Sequence, residues 1–273
     1  MEVTFLGTGT SVGVPMIGCR CAVCASADPR NTRRRTSLYV RTPKTALVID
    51  TPPDFRQQAL DFGVDRVDAV VFTHAHADHI FGFDDIRRFN TLQRKVIPAY
   101  ADPETLADVR RVFSYIGNRP SPSGLYRPLV EFLEIRGPFT VGDVRLTPLD
   151  VRHGNKMTGY LLERGGCRIG YVPDCQAMPD ATVRKLRGAD VMILDALRYT
   201  PHPSHICVEE SLKLLSAIGA GRSYLIHLCH DVDHAELEAR LPEGVRVSFD
   251  GLRITVGGAA AARPVPAGER SAG

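Results

Sequence analysis

The sequence predicts an α/β fold, and three observations carry that prediction. Strand and helix signals are interleaved from one end of the chain to the other and are not segregated into blocks. Short apolar runs such as Val70-Val71-Phe72, Val191-Met192-Ile193-Leu194 and Tyr224-Leu225-Ile226 read as buried strands. Chemistry then arrives at a strand end, because Thr73-His74-Ala75-His76-Ala77-Asp78-His79 follows Phe72 directly.

At 273 residues and 29.9 kDa the chain can bury a full core and is near the upper size for one domain. A net charge of +3 is too small to argue for nucleic acid by itself. No apolar run approaches the ~20 residues that span a bilayer. Met1 to Phe5 alternates like a strand and lacks a basic leader, so a cytoplasmic location is expected. The seven cysteines then read as thiols, and clustered ones point to metal.

In chain order, Glu2 to Leu6 is a strand, and Gly7 to Pro15 is a glycine-rich loop that is either a tight turn or an anion-approaching backbone; it is not a P-loop. Cys19, Cys21 and Cys24 can fill three corners of a tetrahedral Zn²⁺ site, with the fourth ligand from elsewhere, His230 or its neighbour Cys229. Arg33-Arg34-Arg35 reads as a solvated basic run, with recruitment of an anionic substrate as its other role.

Ser37 to Val40 and Ala46 to Ile49 form a hairpin ended by Asp50. Thr51-Pro52-Pro53-Asp54 introduces a helix from Phe55 to Phe62, stopped by Gly63, and the strand Ala69 to Phe72 follows. Asp84 to Leu92 and Pro103 to Tyr115 read as helices flanking the strand Val96 to Tyr100. Gly117 to Pro128 is a Pro-rich loop, a substrate lid or a plain loop.

Strands then dominate: Val130 to Ile135, Phe139 to Val141, Val144 to Leu149, Tyr160 to Glu163 and Cys167 to Val172. Helices at Pro179 to Leu186, Val208 to Ala217 and Ala235 to Leu241 alternate with strands at Val191 to Leu194 and Tyr224 to Ile226. Val245 to Phe249 and Leu252 to Val256 finish as strands. Residues 1–256 form one domain, and the Ala-, Gly- and Pro-rich tail from Gly257 to Gly273 is expected to be disordered. Cys167, Cys175 and Cys207 lie singly and read as packing residues.

Three histidines and a carboxylate within six positions, His74, His76, Asp78 and His79, suit Zn²⁺, Fe²⁺ or Mn²⁺. Four donors so crowded do not fit one coordination sphere, so two ions are expected. His74 and His76 would face one, and Asp78 and His79, on the turn into a helix, the other.

The segment Thr73 to Gly82 matches the H-x-H-x-D-H signature of the metallo-β-lactamase-fold hydrolases, and the resemblance covers residues 1–256. It implies a four-layer αββα sandwich. It also implies three further ligands at strand ends: His153 after Val144 to Leu149, Asp174 after Arg168 to Val172, and His227 after Ser223 to Ile226. Ligand-bearing strands in both halves suggest a pseudo-duplication. With Asp174 as a bridging carboxylate, one ion takes His74, His76 and His153, the other Asp78, His79 and His227. A pair of Zn or Mn ions ~3.5–4 Å apart would share one hydroxide.

Within that superfamily, the Cys cluster with a C-terminal H-x-x-H resembles the phosphoribosyl cyclic phosphate phosphodiesterases of bacterial phosphonate degradation. That likeness favours His230 over Cys229 as fourth ligand to a structural Zn. It implies a catalytic histidine just ahead of a helix, His205, with His202 as its competitor, and it keeps Asp78 in the catalytic set. Arg198 would hold a substrate phosphate or pair with Asp195.

β-Lactamases of the fold usually carry Cys near the position of Asp174, and its thiolester hydrolases append a helical domain not found here, so metal-dependent phosphodiesterase chemistry is expected. Two further families are similar to this chain: a tRNA-processing endonuclease, which needs a basic arm, and protein B of pyrroloquinoline quinone synthesis, which has a similar Cys cluster. Expected partners are a small phosphodiester and at most a second copy of the chain as a homodimer, with neither nucleic acid nor membrane.

Overall fold

The structure, a computed structural model, describes residues 1–117 and 126–257. The first half of the chain runs β1 (Glu2–Gly7), β2 (Ser37–Arg41), β3 (Ala46–Ile49), α1 (Phe55–Phe62), β4 (Ala69–Val71), α2 (Ala77–Ile80), α3 (Ile86–Gln93), β5 (Ile97–Ala101), α4 (Pro103–Val112) and β6 (Val130–Glu134). The second runs β7 (Phe139–Val141), β8 (Val144–His153), β9 (Asn155–Arg164), β10 (Cys167–Val172), α5 (Asp180–Leu186), β11 (Val191–Asp195), α6 (Val208–Ile218), β12 (Arg222–Ile226), α7 (His234–Glu238), β13 (Val245–Val247) and β14 (Arg253–Thr255).

Among the described residues the strands form two seven-stranded sheets, ordered β14-β1-β2-β3-β4-β5-β6 and β13-β12-β11-β10-β9-β8-β7. In each, one block is parallel, β3 to β6 and β10 to β13, and the rest is antiparallel.

Side-chain alternation explains why these strands read as continuous apolar runs. Leu47, Ile49 and Val71 face the second sheet, where they meet Tyr160, Leu162, Tyr171, Ile193 and Ile226. Val48 and Val70 face the other way, onto Phe55, Ile86, Phe89 and Leu106 of the covering helices. In the second sheet Met192, Leu194 and Leu225 pack outward on Val183, Leu186, Leu215 and Leu237. With both faces of the central strands buried, a period of two carries no polar side. The layers are helix, sheet, sheet, helix, the expected αββα sandwich.

The expected strands Val144 to Leu149 and Tyr160 to Glu163 are parts of one longer hairpin. Here β8 continues to His153 and β9 starts at Asn155, with His153 opposite Asn155 across Gly154 at φ 54°. The polar stretch 150–159 hides this extension, because pairing and not hydrophobicity holds it. The last helix is shorter than expected, His234–Glu238 in place of Ala235 to Leu241. The tail 258–273 and most of the Pro-rich loop, residues 118–125, lie outside the described residues. No helix among the described residues is long and apolar enough to cross a membrane.

The parallel strands β4, β10, β11 and β12 place their C-terminal ends at one edge of the sandwich, where sites in such sheets collect. Tyr160 clamps the two sheets there, its hydroxyl donating to the Phe72 carbonyl at 2.6 Å, and the Thr158 N–H donates to the Thr73 carbonyl at 2.9 Å.

Candidate metal centre

Every histidine and carboxylate singled out in the motif lies on this edge. His74 and His76 flank Ala75 in an extended segment, so their side chains lie on the same side, and His74 Nε2 is 2.9 Å from His76 Nδ1. Asp78 and His79 then sit on the short helix α2. The donor atoms of His74, His76 and His153 lie within 4.8 Å of one another, and so do those of Asp78, His79 and His227. Asp174 stands between the sets: its Oδ2 is 3.3 Å from His79 Nε2, and its Oδ1 is 3.4 Å from His227 Nε2 and 3.7 Å from His153 Nε2.

Outer partners decide which nitrogen each imidazole turns inward. The Thr73 hydroxyl gives its hydrogen to Asp50 Oδ2 at 2.7 Å, so it can only accept from His74 Nδ1, 3.0 Å away. Asp50 Oδ2 also accepts from His79 Nδ1 at 2.8 Å. The Ser204 carbonyl accepts from His153 Nδ1 at 2.8 Å. The Thr36 hydroxyl donates to the Gly9 carbonyl and therefore accepts from His227 Nδ1 at 3.2 Å. In all four rings Nε2 is left as a bare lone pair facing the others, the arrangement that orients metal-binding histidines.

The residues fit divalent ions. His79 Nε2 and Asp174 Oδ2 are fully buried atoms without a hydrogen-bond partner, which is costly unless a cation takes them. Burial pushes Asp174 up to about 7 against the pull of His79. Burial, reinforced by neighbouring histidines, holds His74 and His227 well below the usual imidazole range, and burial lowers His153 to about 4. Burial would also lower His79, but Asp174, Asp78 and Asp50 outweigh it and raise it well above that range. These imidazoles and shared carboxylates form a borderline-hard donor set suited to Zn or Mn.

Asp50 and His227 adopt left-handed backbone conformations, φ 64° and 62°, at a cost of about 1–2 kcal/mol each for residues with a Cβ. Both strained residues hold the donors in place, as strain at functional sites commonly does.

His205 lines the same cleft, about 350 Å³, together with Ser11, His202 and Ser204. Its Nδ1 is 2.8 Å from Oδ2 of the fully buried Asp195, which also accepts from the Cys175 N–H at 2.8 Å. The nitrogen of His205 that approaches Asp174, at 3.9 Å, is this same committed Nδ1. His205 thus has Nδ1 committed to Asp195, and it also falls with His153 and Asp174 in a group whose donor atoms lie within 4.8 Å of one another. Burial lowers its basicity and raises Asp195 well above the usual range, so both groups lean toward their neutral forms.

The cysteine cluster gathers a second set of side chains that could hold a metal ion. Cys19 Sγ and Cys21 Sγ lie 3.3 and 3.5 Å from His230 Nδ1, and Cys24 completes the set. A hydrogen bond from the Cys24 N–H, with help from His230, pulls Cys21 down to about 6, into thiolate range at neutral pH. Cys229 is outside the set; it is buried, accepts from the Asp231 N–H at 3.4 Å, and burial raises it to about 11. The loop carrying these thiols is stitched to the His227 segment by Thr10 N–H to the Leu228 carbonyl and Leu228 N–H to the Thr8 carbonyl.

Two expectations need correction. Arg198 does not pair with Asp195: its guanidinium donates to the carbonyls of Thr200 and Pro201, because Asp195 is taken by His205. The basic run is not a solvated face either. Arg33 is 1% exposed and donates to the Cys229 carbonyl, Arg34 pairs with Asp61, and Arg35 with Asp54. Sequence reasoning passed over Asp50, Thr73, Thr36, Asp195 and Ser204, the residues that orient the histidines. Asp50 and Asp195 alone left a signal, as acidic residues at strand ends like the ligands themselves.

Residues 45–228 match the model of the beta-lactamase superfamily domain. The chain is 34% identical over 262 residues to an octanoyltransferase of Porphyromonas gingivalis, a match covering 94% of this chain and 52% of that protein, so it spans about half that relative's length. It is 37% identical to a solved diphosphatase of the PhnP family, with a TM-score of 0.84 and coverage of 93% of this chain and 96% of that one. Zn²⁺-bound PqqB of Methylobacterium extorquens, 23% identical with a TM-score of 0.76 and covering 93% and 100%, shares the fold.

Proposed function

The chain belongs to the beta-lactamase superfamily as a PhnP-like, metal-dependent hydrolase, and from that premise we propose that it hydrolyses a small phosphodiester at a two-metal site. The observation that carries this reading is His205, anchored on buried Asp195 and beside Asp174 with one nitrogen uncommitted. Expelling an alkoxide or phosphate from a phosphodiester calls for a proton donor at that place, which the ligands cannot provide. The neighbour's name, diphosphatase, is compatible with such a substrate.

His74, His76 and His153 would hold one ion, and Asp78, His79 and His227 the other, with Asp174 touching both. What two divalent ions supply when bound is a water acidified toward neutral pH and polarised phosphoryl oxygens. Asp78 would orient that water while serving as a ligand. The Asp195 carboxyl group would fix the His205 ring through Nδ1, so that Nε2–H faces the leaving oxygen. Cys19, Cys21, Cys24 and His230 would hold a structural Zn. A small substrate is preferred to nucleic acid because Arg33, Arg34 and Arg35 are all engaged internally.

The test combines elemental analysis with turnover of bis-p-nitrophenyl phosphate after metal loading. About three ions per chain and metal-dependent release of p-nitrophenolate are expected. Loaded protein that releases none would sink the reading.

Cys21→Ser separates the structural site from the catalytic one. Loss of a thiolate should release that Zn and free the N-terminal loop from the His227 segment, lowering the melting temperature and weakening the second catalytic ion. Wild-type melting with unchanged metal content would show that the cluster holds nothing structural.

A further inference from the structure

The glycine-rich loop from Gly7 to Pro15 has no part in the reaction so described, yet it reaches the metal centre. Two of its glycines serve packing. A Cβ on Gly7 would meet the Arg35 carbonyl oxygen at 2.0 Å, and one on Gly9 the Arg33 carbonyl oxygen at 2.8 Å, so both residues seat the loop against residues 33–35. Beyond that seat the chain turns over residues 10–13, closed by the Gly13 N–H on the Thr10 carbonyl at 2.8 Å, and leaves the turn through Gly13 at φ 68°. Ser11, at the tip, lines the cleft with His76, Asp78, Asp174, His205 and His227.

A turn closed in this way pairs only its outer residues and leaves the peptide between the two middle ones open. The Ser11 carbonyl of that peptide accepts from Arg35 Nε at 3.2 Å, and Arg35 is fixed in turn by Asp54 at 2.9 Å. Carbonyl and N–H of one trans peptide point in opposite directions, so the Val12 N–H faces away from Arg35. Neither this N–H nor the Ser11 hydroxyl has a hydrogen-bond partner among the described residues. Neighbouring donors of a turn can converge on one anionic oxygen.

The turn shares its frame with a metal donor. The Thr10 N–H donates to the Leu228 carbonyl at 3.3 Å, and the Leu228 N–H donates to the Thr8 carbonyl at 3.0 Å. The Thr36 hydroxyl bridges the Gly9 carbonyl, at 2.9 Å, and His227 Nδ1, at 3.2 Å. The place of Ser11 relative to His227 is therefore set before any ligand arrives, which is the condition under which a donor contributes most to a developing charge.

We propose that the Ser11 hydroxyl and the Val12 N–H clamp a non-bridging oxygen of the phosphoryl group held in the metal cleft, which makes Ser11 a catalytic residue. An N–H can only donate, so the partner is an oxygen with a free lone pair. Charge gathering on that oxygen as water adds to phosphorus strengthens both bonds. The clamp itself forms and breaks no covalent bond. This inference rests on the reading of the site as a phosphodiesterase.

The experiment compares wild type, Ser11→Ala and Ser11→Thr, all metal-loaded. Neither Ser11 nor Val12 has a positive φ, so Ala and Thr both fit the turn without strain, and only Ala removes the hydroxyl. Calorimetric titration with inorganic phosphate reads the clamp without turnover. Affinity should fall about ten-fold in Ser11→Ala and stay within about three-fold of wild type in Ser11→Thr. On bis-p-nitrophenyl phosphate, Ser11→Ala should lose about 10- to 100-fold in kcat/KM, most of it in kcat. Metal content and melting temperature should match wild type in both variants.

Unaltered phosphate affinity in Ser11→Ala, no rescue in Ser11→Thr, or loss of a metal ion from Ser11→Ala would overturn the inference. Failure of the underlying reading looks different. If phosphate binding depends on the Ser11 hydroxyl but metal-loaded wild type turns over no diester, the clamp stands and the phosphodiesterase assignment falls.

Discussion

His205→Ala is expected to keep its full metal complement and to lose roughly 10²- to 10⁴-fold in turnover of an alkyl phosphodiester, the usual range for removing a general acid. The reason is geometric. Nδ1 of His205 is held on Asp195 at 2.8 Å, and its distance from Asp174 Oδ1, 3.9 Å, is too long for a hydrogen bond between them. His76→Ala, which deletes a donor 2.9 Å from His74 Nε2, should instead lose metal and activity together.

Leaving-group dependence sharpens the test. An alkoxide needs the proton and p-nitrophenolate hardly does, so the His205→Ala defect should shrink on bis-p-nitrophenyl phosphate. Equal defects on both substrates would assign His205 to phosphate positioning, and loss of an ion would make it a ligand. Asp195→Asn should reproduce part of the defect, because an amide in place of the carboxyl group no longer fixes the same tautomer of His205.

Asp50→Asn carries the second large expected effect. Asp50 is fully buried, and both its oxygens are saturated: Oδ1 by the Thr73 N–H at 2.8 Å, Oδ2 by the Thr73 hydroxyl at 2.7 Å and His79 Nδ1 at 2.8 Å. An amide of the same size must point its NH₂ at one of these donors. His79 then loses its anchor, and Thr73 no longer presents an acceptor to His74 in the same way.

The ion held by Asp78, His79 and His227 should bind about 10- to 100-fold more weakly, as when a metal ligand loses its outer partner. Metal-free protein should also be destabilised by about 3–5 kcal/mol, since one member of a buried charge-assisted pair is gone. Metal titration and denaturant melts of the metal-free form check the two effects separately. An unchanged affinity together with an unchanged midpoint would remove Asp50 from the site.

What the chain determines by itself is chemical identity and strand-end placement. His74, His76, Asp78 and His79 are legible because four metal-ligating side chains packed directly behind an apolar run make poor core and an unusual surface, and Cys19, Cys21 and Cys24 because three thiols in a turn make poor core. The α/β class is legible because apolar runs and helix signals alternate. Tertiary structure alone decided which donors share a set, because residues 74, 153, 174 and 227 are brought together by strands whose order in the sheets no local pattern encodes. It also decided the roles of Asp50, Thr36, Asp195 and Ser204. Each acts through a single hydrogen bond to a histidine far away in sequence, 29, 191, 10 and 51 residues respectively. A hydroxyl, a carbonyl or a lone carboxylate has no distinctive spacing, so its meaning lies in which nitrogen it faces, and that is settled only when the two sheets close on each other.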